Sequence, residues 1–336
     1  MFKKIAFLLG TTFAIVGFIF VASSPSYAKT VMNIGYSVNE GHPYGTFMNT
    51  FADRFMKLSG GKVKVKVHCC HKMGSEQEQF KKLQLGTLDG TLIAQNNSGP
   101  FFPKIDLLVL PYMIQNLQHG YKVVDGPVGK MIWGDMPAKA KVHLVKISLI
   151  SFRHVYNSKK PINSLADFAP MKWRVPKNVV MVDTYKAFGS DPVPMAWSET
   201  LTAVQTGTVD GGDLPADVIY AQKFHDVAKH LAVTGHFALT PPFFVSDKFM
   251  KKLTPDLKEA LYTAADIAAA ASRYHTESGE TVVFKKLKAS GVKITHPNKA
   301  EWIAAAAKVH ADFAKKRGAE YVKLISAINA AAEGTK

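Results

Sequence analysis

The spacing of apolar residues switches repeatedly between a period of two and a period near four, the mark of strands alternating with helices. Val31 to Val38 reads as a strand, and His42-Pro43 leads into a helix carrying Tyr44, Phe47, Phe51, Phe55 and Leu58 on one face. Gly60-Gly61 stops it, and Lys62 to Val67 alternates lysine with valine as a strand does. Ser75 with Glu78 three positions later is a capping box for a helix bearing Phe80 and Leu83; Gly86 ends that helix and Leu88 to Ala94 follows as a strand. This βαβαβ opening predicts a mostly parallel sheet with helices on its faces.

The same grammar resumes downstream. Val142 to Ile150, Phe152 to Tyr156 and Lys172 to Val175 read as strands, and Asn178 caps a helix with Val182, Tyr185 and Phe188 on one face, closed by Gly189. Ser198 is the expected cap of a helix running through Gln205, with Gly207 after it and a strand over Thr208 to Gly211. Thr254-Pro255 begins a helix-forming run that reaches about Lys288, interrupted only by Gly279 and long enough to bridge two lobes. Asn298 and Glu301 suggest a capping box for alanine-rich C-terminal helices. There is no repeat and no Pro/Ser-rich tether, so the two domains are expected to exchange strands.

Composition fits two compact cores: 336 residues, 47% apolar and 20% charged, which disfavours disorder. Lys3-Lys4, the apolar stretch Ile5 to Val21 and Ser26-Tyr27-Ala28 form an export signal, with cleavage expected after Ala28; a retained signal-anchor is the competing reading. Removing residues 1–28 takes away two lysines and no acid, so the formal net charge of +16 becomes +14. That excess steers anions, and the scatter of the lysines, away from any aromatic stacking platform, speaks against nucleic acid.

His68-Cys69-Cys70-His71 places four metal-binding residue types in succession. Successive strand residues face opposite ways, and structural zinc uses separated ligand pairs, so no metal is expected. A vicinal disulfide and two thiols both stay open. There is no Gly-x-Ser-x-Gly elbow, no His-Glu-x-x-His helix, no phosphate loop and no dinucleotide fingerprint, so neither catalysis nor a cofactor is expected. His225, His230 and His236 are expected to be structural.

One succession of motifs is specific. Arg153 stands in Phe-Arg-His-Val-Tyr-Asn, Arg174 in Met-Lys-Trp-Arg-Val-Pro, and Met195-Ala196-Trp197-Ser198-Glu199 leads to Val204-Gln205-Thr206-Gly207-Thr208-Val209-Asp210-Gly211. Met73-Gly74-Ser75-Glu76, Leu85-Gly86-Thr87-Leu88-Asp89, Leu110-Pro111 and Asp125-Gly126-Pro127 precede them. In this order the motifs resemble the dicarboxylate-binding (DctP-like) branch of TRAP transporter extracytoplasmic receptors, over essentially the whole chain after residue 28.

The resemblance implies an α/β, two-lobed periplasmic binding protein with hinge strands and a long lobe-spanning helix. Lobe I would hold residues 29–151 plus about 239–279, and lobe II 152–238 plus about 280–336. It implies capture of a small organic acid anion for the small and large TRAP membrane subunits, by a secreted, monomeric protein without catalytic activity. Arg174 would make the paired carboxylate contact and Arg153 would assist; a guanidinium fork suits two carboxylate oxygens where lysine offers a point charge. A ligand sensor for a signalling receptor and a sulfonate ligand are the alternatives.

By position in the family, His42, Gln77, Glu78, Gln95, Asn96 and Asn97 face the cleft, although Glu78 has its capping role as an alternative. One departure stands out. Where the family reads Asp-Gly-Gln-Glu-Asn-Pro, this chain has Asp210-Gly211-Gly212-Asp213-Leu214-Pro215, placing Asp213 and Leu214 at the ligand-facing positions. Leu214 offers no hydrogen bond, so a shorter, more apolar or aromatic acid is favoured over a highly hydroxylated one, with Trp173, Trp197, Phe237 and Phe243 as candidate walls.

Overall fold

The computed structural model describes residues 30–335, so the expected export signal and its cleavage site lie outside the described residues. The fold is α/β and two-lobed, each lobe built on one sheet. The first sheet has the order β2-β1-β3-β10-β4, from β1 (Thr30–Tyr36), β2 (Val63–His68), β3 (Gly90–Leu92), β4 (Val142–Ile147) and β10 (Pro242–Ser246). The opening βαβαβ unit supplies its parallel part, whereas β10 runs antiparallel to both β3 and β4. The second sheet has the order β11-β9-β5-β8-β6-β7, from β5 (Ser151–Asn157), β6 (Trp173–Val175), β7 (Pro192–Pro194), β8 (Gly211–Leu214), β9 (His230–Leu239) and β11 (Lys293–Thr295).

Two strands pass directly from one sheet into the other. β4 continues into β5 through residues 148–150, and β9 into β10 through Thr240 and Pro241. The crossings lie side by side, with the Ser148 amide donating to the Pro241 carbonyl at 2.9 Å. A third connection is the helix Pro255–Ala289, unbroken through Gly279. Its first half buries Leu261, Ala264, Ala265, Ala268 and Ala269 in the first-lobe core, and Leu287 enters a second-lobe core with Leu231 and Val292.

Local signals hold with instructive shifts. Asn178 caps Val179–Ala187 by accepting from the Val180 and Met181 amides, and the Ser75/Glu78 capping box forms on the helix Glu76–Leu85. The cap expected at Ser198 moves to Ala196, because Glu199 reaches back to the Ala196 amide and the helix already begins at Trp197. The strand expected over Thr208 to Gly211 forms over Gly211–Leu214, where it pairs with β5. At Gly211 a Cβ would collide with the Tyr156 carbonyl, so only glycine lets the strands approach. The box expected at Asn298 divides its work: Asn298 accepts from the Ala300 amide, while Glu301 accepts from the Leu165 amide instead. Cys69 and Cys70 are disulfide-bonded to each other, with Cys70 and His71 in left-handed backbone (φ 61° and 63°), so of the two readings left open it is the vicinal disulfide that forms.

One side chain ties the lobes together beside the cleft. Asn178 Nδ2 donates to the Asn96 carbonyl at 2.9 Å and to Asp106 Oδ1 at 2.8 Å. Asp106 is buried, and its carboxyl is pushed up to about 6. Asn178→Ala removes a helix cap and a partner of a buried carboxyl together, so a loss of about 2 kcal/mol is expected from the urea midpoint.

Candidate anion-binding cleft

A cavity of about 460 Å³, its mouth included, lies between the sheets. Its second-lobe wall carries Arg153, Arg174, Pro176, Trp197, Leu214 and Val218, and its first-lobe wall Val38, His42, Tyr44, Glu76, Asn96 and Asn97. Strand alternation explains one half of this: on β6 Arg174 turns to the cavity, so its neighbour Trp173 turns into the core.

The two arginines are both buried, and they are not equivalent. Arg153 Nε donates to Asp213 Oδ2 at 2.5 Å, and a terminal nitrogen donates to the Asp213 carbonyl at 2.6 Å. Burial alone would lower its pKa; the Asp213 charge outweighs that and raises it. Arg174 donates to the Met195 carbonyl at 2.9 Å, its Nε has no partner, and it joins no ion pair among the described residues. Burial brings its pKa down to about 10. The cavity thus holds one guanidinium with a counter-ion and one without.

The first-lobe wall is polar in a different sense. His42 Nδ1 accepts from the Tyr44 amide, which assigns its proton to Nε2, an atom that is buried and without a hydrogen-bond partner. Asn96 Nδ2 is likewise buried and unpaired. Glu76 accepts from the Ala94 amide and from Asn97 Nδ2, and burial pushes its carboxyl up to about 7. Unpaired donors and one carboxyl therefore face the same space, the pattern of a site completed by an acceptor-rich guest.

Of the residues expected in the site, Arg174, Arg153, His42, Asn96, Asn97, Trp197 and Leu214 line the cavity. The rest are displaced for identifiable reasons. Asp213 lies behind Arg153 as its counter-ion. Gln95 spends its amide on the Ala238 carbonyl and the Thr240 amide, fastening the first lobe to a strand crossing. Glu78 stays in its capping box and Gln77 reaches the Lys177 carbonyl at the outer lip. Trp173 stacks on Phe168 in the core, Phe237 is buried beside it, and Phe243 packs on Phe47 and Phe51, so of the four proposed aromatic walls Trp197 alone lines the cavity.

Sequence reasoning missed Tyr44 and Glu76. The signal for Glu76 was present: four and seven positions before Phe80 and Leu83, it lies on the buried face of its helix. Among the histidines, His236 is buried against Thr234 and His225 stacks on Tyr220, both structural placements.

These buried groups set the acid response of the ligand-free protein. As pH falls through 7 and 6, Glu76, Asp106 and Asp217 take up protons the unfolded chain does not yet bind, which stabilises the fold. Below 6.5 the unfolded chain protonates histidines that the fold holds neutral, with pKa lowered by burial to about 3 at His42 and His154 and about 4 at His236, which destabilises it. These three histidines nearly cancel the three acids, and His71, His230 and His310, also lowered by burial, tip the balance toward loss. A shallow decline in stability from about pH 6 to 4.5 and a steep one below it is expected in a urea-midpoint series.

The family model for bacterial extracellular solute-binding protein, family 7 (DctP), matches residues 34–317. The chain belongs to that family. Within family 7, a solute-binding protein of Verminephrobacter eiseniae is 34% identical over 87% of both chains. The C4-dicarboxylate-binding periplasmic protein DctP of Rhodobacter capsulatus is 27% identical over 92% of this chain and 94% of its own. A solved TRAP periplasmic solute-binding protein from Polaromonas sp. JS666, bound to D-erythronate, superposes with a TM-score of 0.86 at 33% identity, covering 90% of this chain and 99% of that one.

Proposed function

We propose that this protein captures a small organic acid anion outside the inner membrane and delivers it to a TRAP-type permease, the anion's carboxylate resting on Arg174. The observation that carries this reading is the buried guanidinium without a counter-ion, which a carboxylate would supply. Arg153, held rigid by Asp213, assists, while unpaired donors on His42 and Asn96 meet the guest from the other lobe. Contacts from both lobes favour the closed form, with rotation at residues 148–150 and 240–241, and closure is the state the membrane subunits recognise. The family supports a binding role in place of catalysis, and the D-erythronate relative supports a short acid.

The test is a thermal-shift screen of the secreted chain over short hydroxy, oxo, aromatic and sulfonic acids. A ligand at a hundred times its dissociation constant stabilises by about 2.7 kcal/mol. No stabilisation by any of them would remove the reading.

A further inference from the structure

We infer that the cavity takes an acid with a single carboxylate and turns dicarboxylates away, with Glu76 as the residue that discriminates. This rests on the organic-acid reading above and narrows its substrate class, a choice the relatives leave open, since one is named for C4-dicarboxylates and another holds the monocarboxylate D-erythronate.

The argument is a count of charges. Arg153 is already neutralised by Asp213, so of the two cations in the wall only Arg174 is free to balance a guest. No lysine lines the cavity; Lys177 belongs to the outer lip. His42 is neutral, and Tyr44 keeps its proton because burial raises its pKa well above the ordinary value. Glu76 adds a fixed acidic group in the first-lobe wall, and Asp217 stands behind His42 at 3.9 Å. With Glu76 protonated, one carboxylate on Arg174 balances the site; with Glu76 ionised, the same carboxylate already leaves the site one negative charge in excess. A second, within a short guest, would meet either the apolar side formed by Val38, Leu214, Val218 and Leu239 or the carboxyl of Glu76. Both are hostile: the first desolvates a charge without a partner, the second opposes like charges.

Glu76 suits the role of discriminator on geometry. One carboxyl oxygen is engaged by Ala94 and Asn97, which fixes the group in place. A ligand hydroxyl could donate to this carboxyl in either protonation state, whereas a ligand carboxylate is opposed by its ionised form, which prevails above about pH 7.

The decisive measurement is titration calorimetry with pairs of acids matched in skeleton and 2-hydroxyl, differing in whether the far end is methyl or carboxylate. 2-Hydroxybutanoate against malate is the first such pair, with three- to six-carbon analogues beside it. The monocarboxylate of the best-binding pair is expected to bind at least ~100-fold more tightly. Measured at pH 8, where Glu76 is ionised, Glu76→Gln, which keeps shape and removes charge, is expected to narrow that gap roughly tenfold by improving the dicarboxylate. Equal or tighter binding of dicarboxylates overturns the inference and leaves acid capture standing. Absence of binding by every acid in the panel overturns both.

Discussion

Arg174→Ala is expected to weaken acid binding by roughly two to three and a half decades in titration calorimetry, because a bound carboxylate would lose its buried partner, a cost of about 3–5 kcal/mol. The same position carries an unusual second expectation. In the ligand-free protein this guanidinium is buried without a counter-ion, and burial lowers its pKa to about 10, a cost on the order of 3 kcal/mol to the fold. Arg174→Met, which keeps bulk and removes charge, is therefore expected to leave the ligand-free protein at least as stable as the parent while abolishing stabilisation by ligand. Affinity and stability should move in opposite directions at this residue. Binding that survives in both variants would falsify its assignment as the carboxylate contact.

Asp213→Asn is expected to destabilise the protein by about 3–5 kcal/mol, since breaking a buried pair leaves its other member uncompensated. Here that member is Arg153, on a cavity wall that already holds an unpaired cation. Burial alone would raise the Asp213 carboxyl; the Arg153 charge and hydrogen bond outweigh it and hold the group below the usual range. With a urea slope of about 2 kcal/mol per molar, the midpoint should fall by roughly 2 M. Saturating acid ligand should recover part of the loss by supplying negative charge to the same wall. An unchanged midpoint would show that Arg153 finds another partner.

The order of strands and helices was legible because it is written in local periodicity and caps: Asn178, Ser75 with Glu78, and Thr254-Pro255 each begin a helix where expected. The antiparallel insertion of β10 was not, because pairing between residues some 150 positions apart leaves no local trace. The arginines were legible through motif context, yet their inequality was not: that Asp213 engages Arg153 and not Arg174 depends on cross-strand register between β5 and β8. The aromatic walls were misjudged for a simple reason. Large rings fill cores as readily as pockets, and Trp173, Phe237 and Phe243 have core neighbours that no linear pattern reveals. Glu76 was overlooked because its neighbour Glu78 offered a complete explanation as a cap.

The helix Pro255–Ala289 is a rod clamped at both ends, by Ser272 on the Pro43 carbonyl and the alanine face before it, and by Leu287 in the opposite core. Rotation of one sheet against the other cannot lengthen such a rod; it has to bend it. Gly279 falls midway along the span between the clamps, with no atom from another element within 4 Å of where a side chain would begin. A spring with its weakest link at a glycine stores little energy when flexed. In the lobe rotation proposed above, the cleft would open for release against a small elastic load, leaving the grip on the guest to the cavity and not to its frame.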